Sequence, residues 1–256
     1  MKTVILAGGR GTRLAEETHA IPKPMVDIGG KPILWHIMSH YARYGHADFV
    51  VALGYKGFVI KEYFANHLLH DCDISVDLAS GSVEYLSQSR HDWRVTLIDT
   101  GDHSMTGGRL GRLRPQLTDR FLLTYGDGLS DVPIDSVIAH HEKTGALATV
   151  TAVHPPPRFG ALEIVDGKVA SFREKQRDSH DRINGGYFVA EPEILDLVED
   201  DATVFETGVL GTLAERGELG AYEHDGFWMP MDTLRERDEL NRLWESGAAP
   251  WVVSGT

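Results

Sequence analysis

The clearest hydrophobic pattern is at the start of the chain. An unbroken apolar run, Val4-Ile5-Leu6-Ala7, stops abruptly at Gly8-Gly9. A run that short, with no polar alternation, predicts a strand over 2–7 that is buried on both faces. From Lys31 to Tyr44 the period changes. Apolar residues at 34, 37, 38 and 41 fall on one face of a helix, and Gly45 ends it. The alternation then repeats. Strands are predicted at 48–53, 95–99, 121–125 and 148–153, with helices at 56–65, 105–113 and 134–144. The polar stretch 71–92 predicts no more than a short hairpin. Strands alternating with helices imply a mostly parallel sheet with helices on both faces.

After Pro155-Pro156-Pro157 the pattern becomes shorter and more varied. It predicts strands at 161–165, 168–173, 186–190 and 219–223, and helices near 192–198, 207–216 and 233–246. There is no internal repeat, low-complexity tract or flexible linker. The expectation is one domain over 1–256, in which 154–256 forms a lobe on the sheet begun by 1–153.

Composition narrows the function. The 38 acidic and 25 basic residues leave a net charge of −13. Such a field opposes binding to nucleic acid or to an anionic membrane. A polyanionic ligand would need placed bases or a metal ion around it. One cysteine, Cys72, excludes an internal disulfide framework. With no apolar run near eighteen residues and no basic leader, a cytoplasmic protein is expected.

The candidate chemistry begins where the first strand ends. Gly8-Gly9-Arg10-Gly11-Thr12-Arg13 supplies backbone N–H groups and fixed charge beside a strand end. The spacing lacks the Lys-Ser/Thr of a Walker A loop and the Gly-x-Gly-x-x-Gly of a dinucleotide site. Glycines alone would fit a tight structural turn. Arg13 and Lys23 shift the balance, because arginine forks onto phosphate oxygens and lysine adds a point charge. Pro22 and Pro24 flank Lys23 and restrain its backbone.

Two further segments carry carboxylates. Asp127 follows a predicted strand, where open sheets place ligands, and Asp232 lies near another strand end. An aspartate in Gly-Asp-Gly is also an ordinary turn residue. Asp131 reads as an acid at the start of the 134–144 helix, with a minor claim as a metal ligand. His140-His141 reads as the solvated end of that helix.

These residues together carry a family resemblance. Leu6-Ala7-Gly8-Gly9-x-Gly11-Thr12-Arg13-Leu14 with Pro22-Lys23-Pro24-Met25 resembles the signature of sugar-1-phosphate nucleotidyltransferases. Tyr125-Gly126-Asp127-Gly128, Ser171-Phe172-Arg173-Glu174-Lys175 and Asp225-Gly226-Phe227-Trp228 with Met231-Asp232-Thr233 are similar to its cytidylyl branch. The resemblance implies a Rossmann-like open mixed sheet of the nucleotide-diphospho-sugar transferase type, with a smaller sugar-binding lobe. It implies CTP and glucose 1-phosphate as substrates, Mg²⁺ as cofactor and a homo-oligomer, hexameric in that branch.

It also implies roles. Arg13 and Lys23 would be catalytic, and Asp127 and Asp232 would hold Mg²⁺. Leu6, Ala7, Gly8, Gly9, Gly11, Thr12 and Gly126 would meet the nucleotide, with Ser104, Gly108 and Arg109 near base or phosphate. Gly128, Glu174, Lys175, Asn184 and Gly186 would meet the sugar phosphate. Ser104 or Thr106 could instead cap a helix. Tyr187 and Trp228 could stack on the sugar or fill the core. The chain departs from the family pattern on the sugar side, at Gln176, at Val204–Leu210 and at Met229.

Overall fold

The computed structural model describes residues 1–11, 14, 19–89, 91–155, 160–165, 168–174 and 182–252, the two strands within 160–174 by backbone alone. Thr12, Arg13, Lys175 and the Glu174 side chain therefore lie outside the described residues.

The first strand, β1 (Lys2–Ala7), lies inside a seven-stranded sheet. Its alternate side chains enter two separate cores: Ile5 and Ala7 face one, Val4 and Leu6 the other. This is why the run shows no alternation in sequence. Two short strands, β2 (Asp27–Ile28) and β3 (Lys31–Pro32), pair and delay the next helix, α1 (Ile33–Arg43), to Ile33. Pro32 precedes its first turn, where a missing N–H costs nothing.

Helix α1 buries Leu34, Ile37, Met38 and Tyr41 as the periodicity predicts. It also buries His36 and His40. His36 donates from Nε2 to the Ile28 carbonyl at 2.7 Å and accepts at Nδ1 from the Trp251 indole at 3.3 Å, which fixes its neutral tautomer. His40 donates to the Val132 carbonyl at 2.9 Å. Burial pushes both down to about 4.

The chain continues through β4 (Asp48–Leu53), α2 (Gly57–Ala65), α3 (His67–Asp71), the hairpin β5 (Ile74–Asp77) and β6 (Ser82–Tyr85), and β7 (Arg94–Asp99). The hairpin stands off the body with Val76, Leu78, Val83, Tyr85 and Leu86 exposed. Next come α4 (Thr106–Arg112), β8 (Phe121–Tyr125), β9 (Gly128–Ser130), α5 (Ile134–Thr144) and β10 (Ala148–Val153). The second half supplies the hairpin β11 (Gly160–Val165) and β12 (Lys168–Glu174), then β13 (Ile183–Ala190), α6 (Gly211–Glu215), β14 (Leu219–His224), β15 (Trp228–Pro230) and α7 (Leu234–Glu245).

The sheet order is β14-β10-β13-β8-β1-β4-β7. Only β13 runs antiparallel to its neighbours. The mostly parallel sheet expected from the alternation is therefore present, mixed as the resemblance implied, and β13 and β14 join it. From β1 the chain passes to β4 on one side, while β8 lies on the other. The carboxyl ends of β1 and β8 thus flank a topological switch point, where open α/β sheets bind ligands.

Two predicted helices are not ordinary α-helices. Pro192–Leu197 is a 3₁₀ turn, and Phe205–Leu210 is a π-turn running into α6. Pro192 starts the first, and Gly208 and Gly211 weaken α geometry in the second. No described helix is long and apolar enough to cross a membrane.

Candidate active site

A cavity of about 350 Å³ opens at the switch point. Leu6, Ala7, Gly8, Gly9 and Gly11 line one wall at the end of β1. Lys23 and Pro24 come from the 3₁₀ turn Lys23–Met25, and Gly126 and Asp127 from the end of β8. Ser104 and Arg109 approach from the α4 side. Residues from four separate stretches of sequence therefore meet in one place.

Arg109 shapes the glycine wall. Its guanidinium, 5 % exposed, donates to the carbonyls of Gly8 at 3.0 Å, Gly101 at 2.7 Å and Leu53 at 3.1 Å, and to Thr100 Oγ1 at 2.9 Å. These bonds join the ends of β1, β4 and β7. Gly8 has no room for a side chain, since a Cβ there would stand 2.2 Å from Arg109 Nη1. Burial lowers the Arg109 pKa, partly offset by Asp102 and Asp99. Ser104 donates to the Thr100 carbonyl at 2.6 Å, so it stabilises the loop before α4 rather than capping that helix. Gly108 faces away from the cavity, where its N–H donates to the Thr203 carbonyl and a Cβ would strike the Asp201 backbone.

Lys23 is the electrostatic centre. Its ammonium donates to Asp127 Oδ2 and to Asp232 Oδ1, both at 2.6 Å. Burial by itself would lower the Lys23 pKa, but Asp127 and Asp232 outweigh it and hold the group above its ordinary value. Strand pairing explains how two aspartates so distant in sequence meet. β9 pairs antiparallel with β15, Gly128 opposite Pro230. The Met231 N–H then donates to the Asp127 carbonyl at 2.8 Å. Helix α7 locks the second aspartate. Its capping box joins Thr233 and Glu236, and Glu236 also accepts from the Asp232 N–H at 2.7 Å.

The two carboxylates already converge on one cation, Lys23 Nζ. A pair of hard oxygen donors beside this cavity fits a hard divalent ion such as Mg²⁺, which takes one or two carboxylates and completes its shell with phosphates and waters.

The described residues that the resemblance assigns to the sugar phosphate lie beside this centre. Asn184 donates to Tyr125 Oη at 3.2 Å and accepts from the Gly186 N–H at 2.8 Å. Gly186 has φ +79° against the Tyr125 ring, a conformation that favours glycine. Gly128 accepts through its carbonyl from Tyr187 Oη at 3.0 Å. Tyr187 is a core residue, stacked on Tyr41. Trp228 braces the same loop by donating to the Gly185 carbonyl at 2.6 Å.

Sequence reasoning missed the group at the centre of this side. Tyr125 Oη donates to Glu206 Oε1 at 2.5 Å, and Thr106 Oγ1 donates to Glu206 Oε2 at 2.7 Å. Asn184, Tyr125, Glu206 and Thr106 thus form a chain from β13 to α4. Burial raises the Tyr125 pKa, with Glu206 adding to the effect. The available signal was Glu206 itself, an acid within the Val204–Leu210 segment where the chain departs from the family pattern but keeps the glutamate.

Two expectations are corrected. His141 is buried, bonded to Thr149 Oγ1 at 2.9 Å and to Glu191 at 3.2 Å, because its turn of α5 packs on the sheet. Asp131 neither opens α5 nor faces the cation site. It accepts from His224 Nε2 and the Phe227 N–H, each at 2.8 Å, and so anchors the approach to β15.

A glycine wall, a buried lysine and two convergent aspartates at a switch point define a nucleotide-phosphate enzyme of open α/β architecture. The chain belongs to the nucleotidyl transferase family, whose profile matches residues 2–233. It is 55 % identical to the glucose-1-phosphate cytidylyltransferase of Salmonella typhi, over 98 % of each chain. It is 29 % identical to mannose-1-phosphate guanyltransferase beta-B of Xenopus laevis, over 90 % of this chain and 60 % of that one. The fold matches that of HddC from Yersinia pseudotuberculosis with a TM-score of 0.68 at 23 % identity, covering 95 % of this chain and 99 % of that one.

Proposed function

We propose that the protein converts CTP and α-D-glucose 1-phosphate to CDP-glucose and diphosphate. The observation that carries the chemistry is the Lys23 ammonium held between Asp127 and Asp232 at the mouth of the glycine-walled cavity. The choice of cytosine and glucose rests on the likeness to the Salmonella enzyme over the whole chain.

A sugar-phosphate oxygen attacks the α-phosphorus of the nucleotide. A new P–O bond forms there, the bond to the β-phosphate bridge breaks, and diphosphate leaves with its electron pair. The nucleophile is already ionised at neutral pH, so no base has to remove a proton. Catalysis is then positioning plus charge stabilisation. Lys23 neutralises charge at the α-phosphate, and Arg13 stabilises the triphosphate and leaving group. Leu6 to Gly11, Thr12 and Gly126 present backbone to the nucleotide. Ser104 and Arg109 serve its base side, Arg109 through the wall it shapes, and Gly108 supports them from behind α4. Lys175 anchors the sugar phosphate, while Glu174, Asn184, Gly128 and Gly186 hold the sugar. Asp127 and Asp232 would hold Mg²⁺, which supplies further neutralisation of the phosphates.

On this reading, 1–153 is the nucleotide half and 154–256 the sugar half of one domain. The exposed apolar hairpin β5–β6 favours a homo-oligomer built on that surface. The lone Cys72 and a nucleoside triphosphate substrate favour the cytoplasm. Diphosphate release from CTP, required to depend on both glucose 1-phosphate and a divalent ion, tests the proposal. CTP binding without turnover of any sugar phosphate would instead indicate a sugar-nucleotide sensor.

A further inference from the structure

Among the described residues, one cluster of potential ligands plays no part in this chemistry. His67 and Asp71 stand one turn apart on α3, and His91 lies on the approach to β7. One ligand atom from each falls within 4.8 Å of the other two, and all three residues are half-buried. Neighbours hold them in place. The His91 ring stacks on Trp93 with centroids 4.4 Å apart and meets Trp35 edge-to-face with centroids 5.7 Å apart. The His67 ring packs on Tyr63 at 5.8 Å. Ser89 joins the two sides, its hydroxyl donating to Asp71 Oδ2 at 3.1 Å and accepting from the His91 N–H at 3.2 Å.

We propose that His67, Asp71 and His91 form a second metal site, for zinc or a similar transition ion, with water completing the coordination. Two imidazoles and one carboxylate suit such ions, whereas Mg²⁺ prefers an all-oxygen shell. The site is therefore chemically distinct from the Asp127–Asp232 pair. Ser89 orients the carboxylate in the way outer groups orient metal ligands. Asp71 precedes the β5–β6 hairpin and His91 follows it. An ion here clips the base of the hairpin, and closing such a segment limits the freedom of the unfolded chain.

The test uses full-length protein stripped with chelator and then titrated with micromolar Zn²⁺ in saturating Mg²⁺, which occupies the carboxylate pair. One zinc per chain is expected, with a rise in melting temperature. His67→Gln, Asp71→Asn and His91→Gln should each weaken zinc binding at least about tenfold, and Ser89→Ala should weaken it less. His140→Gln should leave it intact, and diphosphate-release turnover of His91→Gln should match that of the parent. Failure of the parent to retain zinc would overturn the proposal. So would unchanged zinc affinity across the three ligand variants. Should a ligand variant fail to fold, the Ser89→Ala affinity decides: a loss supports the site and no change opposes it.

Discussion

Replacing Lys23 with alanine removes the ammonium that Asp127 and Asp232 share. At 2.6 Å and an effective dielectric near 20, each contact carries a gross attraction of about 6 kcal/mol. The Asp127 side chain is 36 % exposed, so solvent screens its share; the Asp232 side chain is only 10 % exposed and loses nearly the full benefit. Desolvation of the ammonium offsets much of the remainder. Breaking a buried pair by removing one partner typically costs about 3–5 kcal/mol. For a chain of this length that corresponds to a melting temperature lower by roughly 6–9 °C without divalent metal. Added Mg²⁺ should stabilise the variant more than the parent, because the carboxylates then bind the ion without competition from Lys23.

The catalytic loss is separate. Losing one preorganised charge at the α-phosphate should cost about 3 kcal/mol in the barrier, or about a hundredfold in turnover. Continuous diphosphate release at saturating CTP, glucose 1-phosphate and Mg²⁺ reads it directly. Near-normal turnover of Lys23→Ala with Mg²⁺ present would refute the role assigned to this lysine.

Arg109→Ala removes one donor each from the Gly8 and Leu53 carbonyls, which keep the Tyr55 and Thr100 N–H groups, so each lost bond should cost about 1 kcal/mol. Urea unfolding should show the loss, and the KM for CTP should rise more than that for the sugar phosphate. Tyr125→Phe removes the hydroxyl shared by Asn184 and Glu206, so it should raise the KM for glucose 1-phosphate while moving that for CTP less than about twofold. Stability should also depend on pH through His36 and His40, which are held neutral in the fold at about 4 and return to an ordinary 6.5 on unfolding. The unfolded chain then binds more protons between those values, so stability is full above about pH 6.5 and falls as pH drops toward 4. Unfolding free energies from urea titrations at pH 8 and pH 5 should differ by about 2 kcal/mol per histidine, and His36→Asn should reduce that difference.

What the sequence revealed was local. The β1 run, its glycine end and the buried face of α1 follow from patterns within a dozen residues, and the structure places them as expected. The proline-flanked Lys23 stood out for the same reason. Meeting points across long separations were not legible. The approach of Asp127 to Asp232, which only the family resemblance implied, depends on the β9–β15 pairing. The Tyr125–Glu206 bond joins a strand end to a π-turn whose shape no simple periodicity encodes. His141 looked solvated because polar neighbours hide the single buried position on that turn. Asp131 looked like a helix acid because its true partners, His224 and Phe227, lie in another part of the chain.

The central claim is a choice of base and sugar by one site. It is tested most directly by kcat/KM for diphosphate release with CTP, UTP, dTTP and GTP, each paired with glucose 1-phosphate and mannose 1-phosphate. CTP with glucose 1-phosphate should exceed every other pair by at least about a hundredfold, the discrimination expected when mismatched polar groups are left unpaired in a closed site. Equal or faster turnover of any other pair would contradict it.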